Sequence, residues 1–233
     1  MDKHFRFSAI LLAISFSMLS FTTSISASER KINMNQHWKF YHGCIANAEQ
    51  PSFNDSGWRV LDIPHDWSVE PLPVQREGIT IGPFSRMSIG GPDTGQTVGG
   101  EGWYRKELIL QPGDTDKILS LYFEGAYNQT EVWINGQKAC FNAYGYVPFR
   151  IDINKYCNAP GIPNTIAVKV INEGLNSRWY AGSGIYRHVW LIKTDKVHLD
   201  EWDTFVDVSK VESRKATVNL HTILHNAHKG EAV

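Results

Sequence analysis

Carboxylates are the first side chains to consider for chemistry, since the 233 residues include 24 Asp and Glu. Two facing acids can cleave a glycosidic bond: one protonates the leaving oxygen, and the other attacks the sugar or activates water. Asn172-Glu173 is the most tempting acid candidate. It follows a strand-like run, so ordinary turn chemistry is its expected role. His221 and His225 have the spacing of a two-histidine zinc site, which works on a helix, where positions four apart are neighbours. Here the pattern is that of a strand, which would set the rings roughly 13 Å apart. Both are expected to face solvent rather than share a metal. Gly182-Ser183-Gly184 lacks the third glycine and following helix of a phosphate loop and reads as a tight turn. No G-x-S-x-G occurs, so a nucleophile elbow has no support.

The elements that must carry these residues are strands. Tyr104 to Leu110 and Ile118 to Phe123 flank the turn cluster Gln111-Pro112-Gly113-Asp114. Glu131-Val-Trp-Ile134 runs into Asn135-Gly136, a dipeptide that tolerates the positive φ angles of a tight hairpin, and Gln137 to Phe141 returns. Ile166, Val168 and Val170 alternate as on a half-buried strand, and Ile185 to Lys193 is a further strand candidate. No segment keeps a helical period over three turns. A β-sandwich is expected. Between Ser68 and Gly102, four prolines and eight glycines mark a long loop, a length that is more often functional or mobile than merely connecting. After Lys196 a new pattern begins, with strand-like Thr204 to Val208 and Ala216 to Leu224. An immunoglobulin-like sandwich takes about 100 residues and seven strands. Residues 196–233 are therefore expected to be only its beginning, with the chain continuing past Val233.

Lys and Arg number 23, for a net charge of -1. That balance lacks the basic footprint of a nucleic-acid binder. Eight Trp, nine Tyr and eleven Phe suit a large core and also contacts to sugars. Trp58, Trp133 and Trp190 sit in apolar runs and are expected in the core. At the amino terminus, Lys3, His4 and Arg6 precede an apolar run, Phe7 to Leu19, and then small residues near Ala27. This is the pattern of a signal peptide over residues 1–27, and the protein is expected to be exported. A membrane anchor needs about 20 apolar residues, whereas four serines interrupt this run, so no membrane association is expected. Cys44, Cys140 and Cys157 allow at most one disulfide and are expected to be buried free thiols.

Four blocks carry a family resemblance. They are Phe53-Asn-Asp-Ser-Gly-Trp58 followed by Ile63-Pro-His-Asp-Trp67, Gly99-Gly-Glu-Gly-Trp-Tyr-Arg-Lys106, Phe123 to Gly136, and Ser177-Arg-Trp-Tyr-Ala-Gly-Ser-Gly-Ile-Tyr-Arg187. In order and spacing they resemble the start of glycoside hydrolase family 2 enzymes, most of all the bacterial β-galactosidases. The resemblance implies an all-β architecture: a galactose-binding-like jelly roll over residues 28–195, followed by the truncated start of an immunoglobulin-like sandwich over 196–233. It implies a retaining glycosidase whose two catalytic glutamates lie in a TIM barrel absent from these residues, so no catalytic residue is assigned here. By the same resemblance, loops of the first domain reach the barrel mouth. Arg178, Asp66 and His65 are the candidate substrate-binding residues. Asp66 could alternatively cap a turn, and Ser177 stands where some members place an acid. Implied partners are a β-galactoside or related glycan, the barrel of the same chain, and a homo-oligomer. Some relatives use Mg²⁺ or Na⁺, but no ligand set for a metal or other cofactor is readable. The competing reading is a free-standing, non-catalytic carbohydrate-binding module.

Overall fold

The computed structural model describes residues 30–88, 91–173 and 181–226; the expected signal segment lies outside them. The strands are β1 (Lys31–Asn33), β2 (Trp38–His42), β3 (Arg59–Leu61), β4 (Thr80–Ile81), β5 (Phe84–Ser85), β6 (Gly100–Ile109) and β7 (Ile118–Phe123), followed by β8 (Gln129–Ile134), β9 (Gln137–Asn142), β10 (Phe149–Asp152), β11 (Pro163–Asn172), β12 (Val189–Thr194), β13 (His198–Val211) and β14 (Ala216–His225). Two antiparallel sheets form the sandwich, in the orders β1-β12-β7-β10 and β3-β2-β6-β11-β8-β9. The expected all-β fold is what the chain adopts.

Alternation fills the space between the layers. Ile166, Val168 and Val170 of β11, Val132 and Ile134 of β8, and Tyr104 and Leu108 of β6 meet Leu119, Leu121 and Phe123 of β7 and Val189 and Leu191 of β12. Each side chain of this size stabilises the fold by about 1.5–3 kcal/mol when fully buried. The opposite faces of the same strands carry a smaller cluster of Trp103, Ala48 and Ala167, with Phe53, Trp58 and Trp133 packed against it. Trp58, Trp133 and Trp190 are thus half-buried rather than central. The hairpin turn forms as expected, with φ of 52° at Asn135 and 78° at Gly136. Asn135 also stitches the turn to its surroundings, donating to the Tyr156 carbonyl and to Asn164 Oδ1.

Three expectations change. Ile185 to His188 does not join β12; its start is drawn instead into loop pairing, described below. The long loop is partly ordered by the short β4–β5 ribbon and by 3-10 turns at Trp67–Val69 and Gly91–Thr94. Cys44 is exposed, Cys140 and Cys157 are half-buried, and all three are free thiols. Burial pushes the Cys157 thiol up to about 11, which suppresses its thiolate.

Among the described residues β13 and β14 pair only with each other. The start of β13 is fastened to the sandwich by three contacts. Arg150 Nη1 lies 2.6 Å from Asp200 Oδ1, Lys31 Nζ lies 3.1 Å from Glu201 Oε1, and Arg30 donates to the Leu199 carbonyl. Among the described residues no helix is long and apolar enough to cross a membrane.

Candidate functional site

One end of the sandwich gathers segments far apart in sequence. The Pro64–Ser68 turn runs beside Ser183–Ile185: the His65 amide donates to the Ile185 carbonyl at 2.8 Å and the Trp67 amide to the Ser183 carbonyl at 3.1 Å. On the other side, Gly184 and Tyr127 exchange both backbone hydrogen bonds at 2.9 Å. Ser183 lies between Gly182 and Gly184, whose φ values are 78° and 128°, but the segment is a loop bridged to Tyr127 rather than the tight turn read from the sequence. A Cβ on Gly184 would lie 2.4 Å from the Tyr104 hydroxyl and 2.7 Å from the His65 carbonyl oxygen. Only glycine fits there, because both the positive φ and the close approach exclude a side chain.

Asp66 ties these segments together. Its Oδ1 accepts from the backbone amides of Ser68 and Ser183, both at 2.9 Å. The first bond caps the 3-10 turn, the alternative role weighed for this residue. The second is a tertiary clamp. Burial pushes the Asp66 carboxyl above its ordinary value, against the lowering effect of those two amides. Behind it, Ser68 Oγ lies 2.5 Å from Ser183 Oγ, and Asn172 Nδ2 donates to Ser183 Oγ at 2.7 Å and to the Gly182 carbonyl at 2.8 Å. Asn172 is therefore a structural brace at the end of β11 rather than the turn residue expected, and its neighbour Glu173 is exposed. The clamp joins the residues that flank 174–180, the segment containing Ser177 and Arg178. Those two positions lie outside the described residues.

His65 belongs to a chain of polar groups running from the surface into the core. Arg59 Nη2 contacts Glu70 Oε1 at 2.7 Å and Oε2 at 2.9 Å. His65 Nε2 lies 3.0 Å from Glu70 Oε1, and His65 Nδ1 lies 2.7 Å from the hydroxyl of Tyr104. Arg59 Nη2 also lies 3.1 Å from His65 Nε2, so this nitrogen sits between a donor and a carboxylate acceptor. Burial lowers the His65 pKa, outweighing the raising effect of Glu70, so the ring is held neutral. Burial also raises Tyr104 well above its ordinary value. At Glu70 the burial effect is upward, but the hydrogen bonds from Arg59 and His65 win and hold its carboxyl low. The structure thus brings His65 and Asp66 to one place, with polar groups already engaged. Such a set can position loops.

Arg59, Glu70, Tyr104 and Ser183 were not singled out as site residues from sequence. Only the glycines around Ser183 signalled a constrained turn. Elsewhere, His221 and His225 do not converge, as the strand geometry predicts. His225 instead meets Asp200 and Asp203, with ligand atoms within 4.8 Å of one another. Arg150 already neutralises Asp200, and His225 is hydrogen-bonded to Asp203. These groups satisfy one another and do not form a fitting site for the Mg²⁺ or Na⁺ of some relatives.

Comparison with known proteins agrees with this geometry. Residues 34–195 match the family described as glycosyl hydrolases family 2, sugar binding domain. A β-galactosidase of Bacteroides ovatus is 40% identical over 206 residues, covering 88% of this chain and 23% of the relative. A putative β-glucuronidase of Formosa agariphila is 34% identical, covering 88% of this chain and 19% of its own length. A crystal structure of a family 2 member from Bacteroides cellulosilyticus superposes with a TM-score of 0.78 at 39% identity, covering 84% of this chain and 24% of that one. The chain spans about a fifth to a quarter of the length of these relatives. The match over residues 34–195 shows that the chain belongs to glycosyl hydrolase family 2, with these residues as its sugar-binding domain.

Proposed function

We propose that this chain is the amino-terminal part of an exported retaining glycosidase that hydrolyses terminal β-galactosides. It would act through a covalent glycosyl-enzyme intermediate. In this reading the catalytic glutamates lie in a barrel beyond these residues. Residues 28–195 form the jelly roll, 196–233 begin an immunoglobulin-like domain, and residues 1–27 direct export. The 40% identity to a β-galactosidase over nearly the whole chain carries the proposal. The site is compatible with it: Asp66 accepts from the Ser183 amide on one side of residues 174–180, and Asn172 on the other side donates to Ser183 Oγ. Arg178 then supplies the donor fork for a sugar hydroxyl or carboxylate, with Asp66 and His65 as the further substrate-binding candidates on the same rim. The glucuronidase among the relatives favours a second reading, a β-glucuronide substrate.

A panel of nitrophenyl glycosides on the full-length protein, with this chain alone alongside, tests the proposal. Galactoside turnover by the full-length protein and none by the isolated chain is the expected result. Preferential glucuronide turnover would move the substrate to the second reading, and turnover by the isolated chain would refute the missing-barrel account. Arg178→Ala in the full-length protein is expected to lower kcat/KM roughly tenfold or more with the fold intact, the loss of one charged hydrogen bond. Unchanged kinetics across several galactosides would remove Arg178 from the site.

A further inference from the structure

At the open end of the β13–β14 ribbon, the pairing of Asp200, Asp203 and His225 leaves one neighbouring nitrogen out. It belongs to His198, whose side chain is only 9% exposed. The Nδ1 of His198 lies 3.1 Å from the Lys196 carbonyl, which can only accept, so Nδ1 carries the proton. In the neutral ring Nε2 is then an acceptor, and it faces Asp200 Oδ1, another acceptor, at 3.5 Å. That separation is beyond ordinary hydrogen-bond length, and among the described residues Nε2 has no hydrogen bond elsewhere. Two lone pairs aimed at each other call for a cation between them.

Strand geometry explains why these groups meet. His198 and His225 are register partners across the antiparallel pair, where opposite Cβ atoms lie about 4.5–5.5 Å apart. Their rings stack with centroids 5.2 Å apart and planes at 19°. Asp200, two positions after His198, shares its face. By strict alternation Asp203 would point to the other face. The ladder is offset between Leu199 and Thr204, and such a bulge re-aims a side chain; Asp203 turns back to contact His225 Nε2. That nitrogen also lies 3.9 Å from Asp200 Oδ2. Behind Asp200, Arg150 donates from Nη1 to Oδ1 and from Nε to Ser120 Oγ, both at 2.6 Å, holding the carboxylate as the outer partner of a metal ligand does. Two aspartates against one arginine leave a net negative charge to attract a cation. Two imidazole nitrogens and two carboxylate oxygens suit tetrahedral zinc, whereas magnesium favours oxygen and water.

We propose that His198, Asp200, Asp203 and His225 bind one zinc ion, which staples the open end of the ribbon beside its fastening on the sandwich. Zinc takes the place of the proton held between His225 and Asp203, and that proton leaves to solvent. The test uses full-length protein stripped of metal with a chelator and titrated with Zn²⁺, while amide hydrogen exchange is followed by mass spectrometry. Zn²⁺ is expected to slow exchange saturably in peptides covering 198–203 and 220–225. His198→Gln and His225→Gln should each raise the Zn²⁺ concentration needed by about tenfold or more. Asp203→Asn, which keeps the side-chain shape, should do the same while matching the unsubstituted protein without metal, so that loss of zinc binding is separated from loss of the ribbon. His221→Gln, on the same ribbon beside Asp207, should change nothing, and Mg²⁺ should give no protection at the same concentration. Exchange indifferent to Zn²⁺ would overturn the proposal and leave His198 as an imidazolium paired with Asp200. Protection that survives any of the three ligand substitutions, or equal protection by Mg²⁺, would overturn it as well. Glycoside turnover does not enter this readout, so the glycosidase reading stands or falls separately.

Discussion

β7 and β13 both carry long apolar side chains, in opposite surroundings. Leu119, Leu121 and Phe123 of β7 are buried, whereas Trp202 of β13 is 75% exposed and Phe205 66%. β7 has hydrogen-bonded neighbours on both edges, β12 and β10, and its inner face meets the second sheet. β13 has β14 alone, and among the described residues neither of its faces is covered by another layer. Strand formation therefore follows from local pattern and one partner, while burial needs a second sheet. A two-stranded ribbon is at best marginally stable by itself.

The largest expected effect contrasts the two regions directly. Trp38→Ala empties a fully buried site and should cost about 3–5 kcal/mol in denaturant unfolding. Trp202→Ala in the same chain should stay within about 0.5 kcal/mol. Similar losses from both would show that β13 is covered after all. Next in size, Gly184→Ala drives a methyl against Tyr104 and the His65 carbonyl and should cost about 1–3 kcal/mol. Ser209→Thr, a methyl added at an exposed position on β13, should leave the unfolding midpoint unchanged. If Gly184→Ala were equally silent, the loop end would be looser than the sandwich that supports it.

The smallest effect concerns acidity. Burial depresses the folded pKa of His65 below its unfolded value, so the unfolded chain takes up the proton first as pH falls. The stability contributed by the neutral ring is full above about pH 6.5 and is lost as pH falls through the lower, folded value. His65→Gln should flatten the stability profile in that window. A slope that survives the substitution would place its origin outside the His65 chain of contacts.

Features with a local cause were legible in the sequence. Asn135-Gly136 announces its turn because few dipeptides tolerate two positive φ angles, and the alternation in β11 follows from a strand's period of two. The short strands β1 to β3 offer three to five residues each, too few for periodicity to register. Ile185 misled because its apolar character reflects burial while its backbone pairs with the His65 turn. The loop end was least legible: Asp66 and Ser183 are 117 positions apart, and no spacing rule connects them. His65 and Asp66 were found through family resemblance, but the partners that define their roles emerge only once the chain has folded.

The single oxygen of Asp66 that serves two amides makes the loop end behave as one part. Removing the Asp66 carboxylate would release both grips at once, so damage on the Ser68 side and on the Ser183 side would be coupled through it. Engineering of this rim would then have to treat residues 64–70 and 181–185 as a unit, redesigned together or left alone.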